Sequence, residues 1–358
     1  MNHLKPGILP ALGIYLRDWW YSMSHTAEFT RDDLPPLVDR DPAYTTVANR
    51  LLQQRERCLH LHGPHGSGKT LLLRHVLQDL PASTTVCPIS CRRRDTQYKV
   101  LTTLCEAVTD EEFTTGYHTA QLYAVLADAA QELTIVLDDI DFLLMNDGND
   151  LLYTLSRLNH PGLQLVLSSA NHPNLATELD DRTYSSLQPS TVDCPAYTET
   201  EAIQILRERA ADWINQPVTD DAFALIVSVT TNIRIGYHWL RVAAQVVDGQ
   251  VTRDIVRLVQ PDADQRYRTA QLAAFTEHHH LLLDAIELLT AETSPVRSGD
   301  VYDSYHRLCN RSGTAPLSTR RISDFLTQLE LLNLIRVEYQ YGGDDGKTRS
   351  IWLQELGQ

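Results

Sequence analysis

Residues 59–78 read LHLHGPHGSGKTLLLRHVLQ, and the eight from Gly63 to Thr70 limit the possible folds more than any other stretch. Gly63, Gly68, Lys69 and Thr70 satisfy G-x-x-x-x-G-K-[ST], with Gly66 as an extra glycine inside the loop. The run CLHLH before it reads as a strand, and KTLLLRHVLQDL after it reads as a helix. Glycines let backbone amides turn toward phosphate oxygens with no Cβ in the way. Pro64, His65 and Ser67 fill out the same backbone cradle. Lys69 supplies a point charge to the outer phosphates, and the Thr70 hydroxyl is the expected Mg²⁺ ligand. The helix aims its positive end at the same anion. ATP or ADP is the expected ligand.

Such a loop needs a second strand to hold the metal. LTIVLDDIDFLL (133–144) supplies one, ending in Asp138, Asp139 and Asp141. Asp138, first after the apolar run, is expected to hold Mg²⁺ directly or through water, and Asp139 to polarise the attacking water. The second position is usually glutamate in such ATPases. Asp139 is one methylene shorter, so slow hydrolysis is expected. A third buried strand, GLQLVLSSANH (162–172), ends in Asn171. An amide at that edge, beside the loop, can orient the attacking water or touch the γ-phosphate. Strands and helices alternate through residues 34–193, the pattern of a parallel sheet with helices on both faces.

At 358 residues the chain is too long for one compact core, so two or three domains are expected. No apolar run approaches the roughly 18 residues of a membrane span. The first residues lack a cleavage pattern, so a cytoplasmic protein without membrane partners is expected. Trp19 and Trp20 precede the recognisable pattern and suit packing onto the body or a tail. Six cysteines without a C-x-x-C pair suit reduced, buried thiols. The net charge of -15 is unevenly spread, with 10 Lys+Arg against 12 Asp+Glu from residue 265 onward. Only four of the 31 basic residues are lysines. That bias suits a high-salt cytoplasm, and a GC-rich genome produces it too.

Residues 194–260 lack strand alternation and read as a helical lid, with VQPDADQ (259–265) as a linker. Beyond it, LAAFTEHHHLLLDAIELL and SGDVYDSYHRLCNRSG read as amphipathic helices. STRRISDFLTQLELLNLI is a third, opening on an N-capping serine or threonine. LIRVEYQYGGDDGKTRSIWL alternates on both sides of a Gly/Asp turn, as a hairpin does. Three helices and a hairpin make a winged helix-turn-helix. Its third helix would present Thr319, Arg320, Arg321 and Ser323 to a major groove, and its wing Lys347 and Arg349 to phosphates or a minor groove. The same fold also docks proteins. His278–His280 cannot chelate one ion well, because consecutive helical residues point about 100° apart. They read as surface or interface histidines.

In order along the chain, GPHGSGKT, CRRRDTQYKVL (91–101), IVLDDID, LSSANHPNLATELDDRTYSSL (167–187) and CPAYTETEAIQILRERA (194–210) form an ordered set. NIRIGYHWLRVAAQVV (232–247) and the winged-helix stretch continue it. Together they resemble the AAA+ ATPases of the origin-recognition and cell-division-control group, the archaeal replication initiators in particular. The resemblance implies an α/β AAA+ base at 34–193 after an extension at 1–33, a lid at 194–262 and a winged-helix domain at 263–358. It makes Asn171 the first sensor and Arg234 the lid arginine that reaches the phosphates, and it adds Tyr197 to the nucleotide-binding residues. Thr231 and Asn232 stand where the family usually has small or acidic residues. Arg182 sits where an arginine reaches a neighbour's nucleotide or braces a subunit interface; it also reads as an ion-paired surface residue. The implied partners are double-stranded origin DNA, the replicative helicase and paralogous initiators. Two rivals remain: a weakly hydrolysing regulator of transcription or plasmid replication, and a signalling ATPase whose winged helix binds protein.

Overall fold

The computed structural model describes residues 34–356, apart from 110, 114–115, 130–131, 147, 161, 173 and 342–346 and the side chains of 340, 341, 347 and 348. The expectations for 1–33, Trp19 and Trp20 included, lie outside the described residues. The chain divides into two compact units, one running to Val256 and the other starting at Arg257.

The first unit is built on five parallel strands: β1 (Cys58–His62), β2 (Thr84–Ser90), β3 (Glu132–Asp138), β4 (Leu163–Ser169) and β5 (Ser190–Asp193). Their spatial order is β2-β3-β4-β1-β5. β3 and β4 are buried along nearly their whole length, Thr134, Gln164 and Ser168 included, as befits mostly apolar strands covered on both faces. Val136 and Val166 join Leu59, Leu61, Leu72 and Val76 in one core. Ile135, Leu137, Leu165 and Leu167 alternate to the other face and are fully buried too. Pro88 is tolerated in β2 because that strand is an edge. β1 lies between β4 and β5 in register, so the loop after β1 emerges at the C-terminal edge, where α/β sheets place ligands.

Helices Glu199–Trp213, Asp220–Val229 and Ile233–Val246 follow in the same unit. Thr198 and Glu201 close a capping box on the first, and Asn232 caps the third through Oδ1 to the amides of Arg234 (3.1 Å) and Ile235.

The expected linker is corrected: 259–265 lies within helix Arg253–Gln271, with Pro261 inside it. Val256, Val259, Ala263 and Tyr267 are buried at helical spacing. That apolar stripe outweighs the roughly 3 kcal/mol that an internal proline costs a helix.

In the second unit, helices Glu277–Thr290, Ser298–Ser312 and Thr319–Leu331 pack with a three-stranded antiparallel sheet of order β6-β8-β7. Its strands are β6 (Val296–Arg297), β7 (Ile335–Tyr341) and β8 (Lys347–Leu353). This is a winged helix, with β6 as a strand that the pattern of the sequence did not separate from the helix after it. The surface reading of the histidine triplet is corrected for His279, which is 3% exposed and stacked 3.8 Å from the Phe325 ring. Its Nε2 pairs with Gln328 Oε1 at 2.6 Å, so the ring ties the first helix to the third.

Candidate functional site

The loop from Gly63 to Gly68 leaves β1 and turns through two left-handed glycines, Gly66 (φ +82°) and Gly68 (φ +87°). Gly68 caps helix Lys69–Leu77 without any side-chain hydrogen bond, which leaves the first-turn amides to serve an anion. The glycines are required by contact as well as by conformation. A Cβ on Gly66 would run into the Asn232 amide, and one on Gly68 into the Tyr197 hydroxyl.

Lys69 is 6% exposed, and its Nζ donates to the carbonyls of Gly63 (2.5 Å) and Pro64 (3.0 Å). Burial holds its ammonium below the usual lysine range, against the pull of Asp139 and Asp138. Burial, with the charges of Arg92, Lys69 and Arg234, pushes His65 down to about 4 despite Asp139, so its ring is neutral at pH 7.

Thr70 Oγ1 donates to Asp138 Oδ2 at 3.0 Å, and Ser168 Oγ donates to Asp138 Oδ1 at 2.6 Å. Burial and the adjacent Asp139 raise the Asp138 carboxyl above the usual range, against those two hydrogen bonds and Lys69. A hydroxyl and a carboxylate already within hydrogen-bond reach, below a cradle of backbone amides, fit a hard cation bridging to phosphate. The residues present therefore fit Mg²⁺ with a nucleotide polyphosphate.

Asp139 departs from the strand with φ +55°. Its Oδ2 lies 2.6 Å from Arg92 Nε, in a pair whose side chains are 5% and 13% exposed. Burial alone would raise the Asp139 carboxyl, but Arg92, His65, Arg234 and Lys69 outweigh it and hold the group below its ordinary value. Asn171 is exposed two residues beyond β4, and its backbone amide donates to Asp141 Oδ1 at 2.9 Å. Arg234 stands in the first turn of the helix that Asn232 caps, and its charge acts on Lys69, His65 and Asp139. Arg182 is turned to its own chain, 3.4 Å from Asp150 and 4.1 Å from the Tyr153 ring centroid.

Sequence reasoning missed three residues here. Arg40, 5% exposed, donates from Nε to Ser67 O (3.1 Å) and from Nη2 to Pro195 O (2.7 Å), and stacks 3.8 Å from the Tyr197 ring centroid. It joins the 63–68 loop to the segment that leads into helix Glu199–Trp213. Nothing in its local pattern announces it. Arg92 had a signal, since Arg92, Arg93 and Arg94 form a basic run at the end of β2 in an acidic stretch of chain. Asn232 had one too, as an N-capping residue type immediately before an apolar helix.

In the winged helix, Ser318 caps the third helix by accepting the Arg321 amide. Thr319, Arg320 and Arg321 are exposed on its first turn, with Ser323 half-buried behind them. Arg349 lies in β8 with its guanidinium 5.0 Å from the Tyr339 ring. Lys347 begins β8, but its side chain and the turn before it lie outside the described residues.

Two family models match the chain: an AAA domain over residues 52–176 and the CDC6 C-terminal winged helix domain over 270–355. An ORC1-type DNA replication protein of Thermococcus onnurineus is 30% identical over 321 residues, covering 82% of this chain and 77% of the relative. One from Pyrococcus furiosus is 29% identical over 354 residues, covering 91% and 84%. The Aeropyrum pernix ORC1 protein, solved in complex with DNA, superposes with a TM-score of 0.69 at 25% identity over 90% of this chain and 91% of that one. The Aeropyrum pernix ORC2 protein shares the fold, with a TM-score of 0.54 at 16% identity over 89% of this chain and 91% of its own.

Proposed function

Because the chain belongs to the family of ORC1-type DNA replication proteins, we propose that it is an ATP-switched initiator. It recognises origin duplex DNA and helps to recruit or load the replicative helicase, acting beside paralogous initiators on the cytoplasmic nucleoid. The observation that carries the nucleotide half is the Thr70–Asp138 hydrogen bond of 3.0 Å beneath the glycine cradle. The exposed first turn of helix Thr319–Leu331 supports the DNA half, since Arg320 and Arg321 suit base edges or phosphates.

In our assignment ATP lies between the base (34–193) and the lid (194–262). Backbone amides of Gly63–Lys69 and the Lys69 ammonium bind phosphates, Tyr197 and Arg40 flank the loop, and Arg234 adds charge from the lid. Thr70 and Asp138 would hold Mg²⁺, which neutralises phosphate charge and orients the outer phosphate. Asp139 accepts a proton from the attacking water, and its pair with Arg92 keeps it ionised, as a base must be. Asn171 orients that water. Arg182 serves the face toward a neighbouring subunit.

A second reading is favoured by the same Arg92–Asp139 pair. With its base tied to an arginine, the chain would bind ATP and barely hydrolyse it, as a regulator of transcription or plasmid replication. Genome-wide crosslinking of the intact protein and of Lys69→Ala separates the readings. Sharp peaks at replication origins that weaken in the variant support the initiator. Peaks at promoters support the regulator, and no peaks refute DNA recognition altogether.

A further inference from the structure

The acidic run closing β3 contains a third carboxylate, Asp141, that neither metal binding nor proton transfer uses. Its side chain is 1% exposed. Oδ2 accepts the Ala170 amide at 3.1 Å, and Oδ1 accepts the Asn171 amide at 2.9 Å. Both amides belong to the turn that leaves β4. His172 follows them, its Nε2 3.7 Å from Asp141 Oδ1 and its Nδ1 3.4 Å from Glu178. A carboxylate that accepts two consecutive amides fixes the backbone between them, because moving either residue breaks a charge-assisted bond in a buried place.

The anchor itself is rigid. Asp141 opens helix Asp141–Leu144, in which Phe142 and Leu143 are buried. One residue earlier, the Ile140 amide donates to Ser168 O at 2.9 Å, and Ser168 Oγ holds Asp138. The end of β3 is thus stitched to the end of β4 at 138, 140 and 141. Asp138 and Asn171 stand on the two sides of that seam.

We infer that Asp141 is a positioning residue for hydrolysis, fixing the 170–171 turn so that Asn171 meets the attacking water while Asp138 keeps its place by Thr70. The inference rests on the proposed ATPase reading, in which Asn171 acts as the sensor. It separates the acidic run into three tasks: metal, base and turn.

Asp141→Asn is the test, since it keeps the shape and leaves one oxygen for two amides. Equilibrium binding of ATP and ADP should stay within about twofold of wild type, while kcat falls about a hundredfold, the cost of an ångström-scale misplacement. In nucleotide-free protein, hydrogen exchange at 170–171 should quicken, with the 63–70 loop unchanged. The double variant Asp141→Asn/Asn171→Ala should turn over no more slowly than Asn171→Ala, because both changes remove one group's action. Wild-type turnover in Asp141→Asn, or multiplying losses in the double variant, overturns the inference. If the asparagine variant fails to fold, Asp141→Glu, which keeps the charge and displaces the turn by a methylene, must show the same pattern. A wild-type protein with tight ATP binding and no multiple turnover refutes the ATPase reading instead, and the inference with it.

Discussion

Replacing Arg92 by methionine removes a charge from a pair that is almost dry. The guanidinium side chain is 5% exposed and the Asp139 side chain 13%. Breaking a buried pair from one side costs about 3–5 kcal/mol, because the remaining charge keeps its desolvation penalty. The low end applies here, since Arg234 and Lys69 continue to favour the Asp139 carboxylate. A loss of about 3 kcal/mol lowers the melting temperature of a domain of this size by about 6–12 °C. Calorimetry of the full chain reads it, and ADP identifies the relevant transition because only the nucleotide-binding unit gains from the ligand. Asp139 has a depressed folded pKa, so its contribution exists above the unfolded value of about 3.9 and fades as pH falls through the folded one. The gap between Arg92→Met and wild type should therefore be full at pH 7 and shrink below about pH 4. Adding Asp139→Asn should restore most of the loss, leaving no buried charge unpaired. A variant melting with wild type, a gap independent of pH, or a double variant as weak as the single one would refute the reasoning.

Gly66→Ala puts a side chain at φ +82° and into the Asn232 amide. Strain of about 1–3 kcal/mol predicts a loss of nucleotide affinity of about five- to 150-fold by fluorescence titration. If Asp138 holds Mg²⁺ as proposed, its raised pKa makes protons compete with the cation there. The gain in nucleotide affinity from Mg²⁺ should shrink from pH 7 toward acid, and Asp138→Asn should abolish both the gain and its pH dependence. On duplex DNA, Arg320→Ala and Arg321→Ala should each weaken binding. An arginine that binds a phosphate takes about one from the salt slope when it is removed, and unchanged affinity in both variants removes the helix from the interface.

The parts of the fold legible from sequence are those whose pattern is local. β3 and β4 are mostly apolar segments next to aspartate or glycine, β1 runs straight into the glycine loop, and the hairpin alternates around its turn. The strands without a clear pattern are the peripheral ones. β2 contains Pro88 and a partly exposed face, β5 has four residues, and β6 has two. Pro261 reads as a break because the proline signal is local, whereas the burial of Val256, Val259, Ala263 and Tyr267 that overrides it is tertiary. His279 misleads for the same reason: three adjacent histidines look wet until Phe325 and Gln328, far along the chain, close over the middle one.

The site divides along the same line, and Asp138 and Asp139 show why. As adjacent letters they make one acidic patch. In the structure, Asp138 ends the strand and accepts from Thr70 and Ser168, so its oxygens stay on the side of the helix that follows the glycine loop. The left-handed turn at Asp139 throws the next carboxylate sideways to Arg92 at the end of β2. That turn is held by neighbours on both sides: the Cys91 amide binds Asp138 O at 2.8 Å, and the Ile140 amide binds Ser168 O. A non-glycine residue persists in this conformation only where its surroundings over-determine it. The separation of the two acids is therefore a property of three strand ends taken together. A longer acid at 139 would reach farther, but the backbone would still aim it at Arg92. In the ATPase reading proposed above, the position of that arginine, more than the missing methylene, would set how readily Asp139 turns toward water.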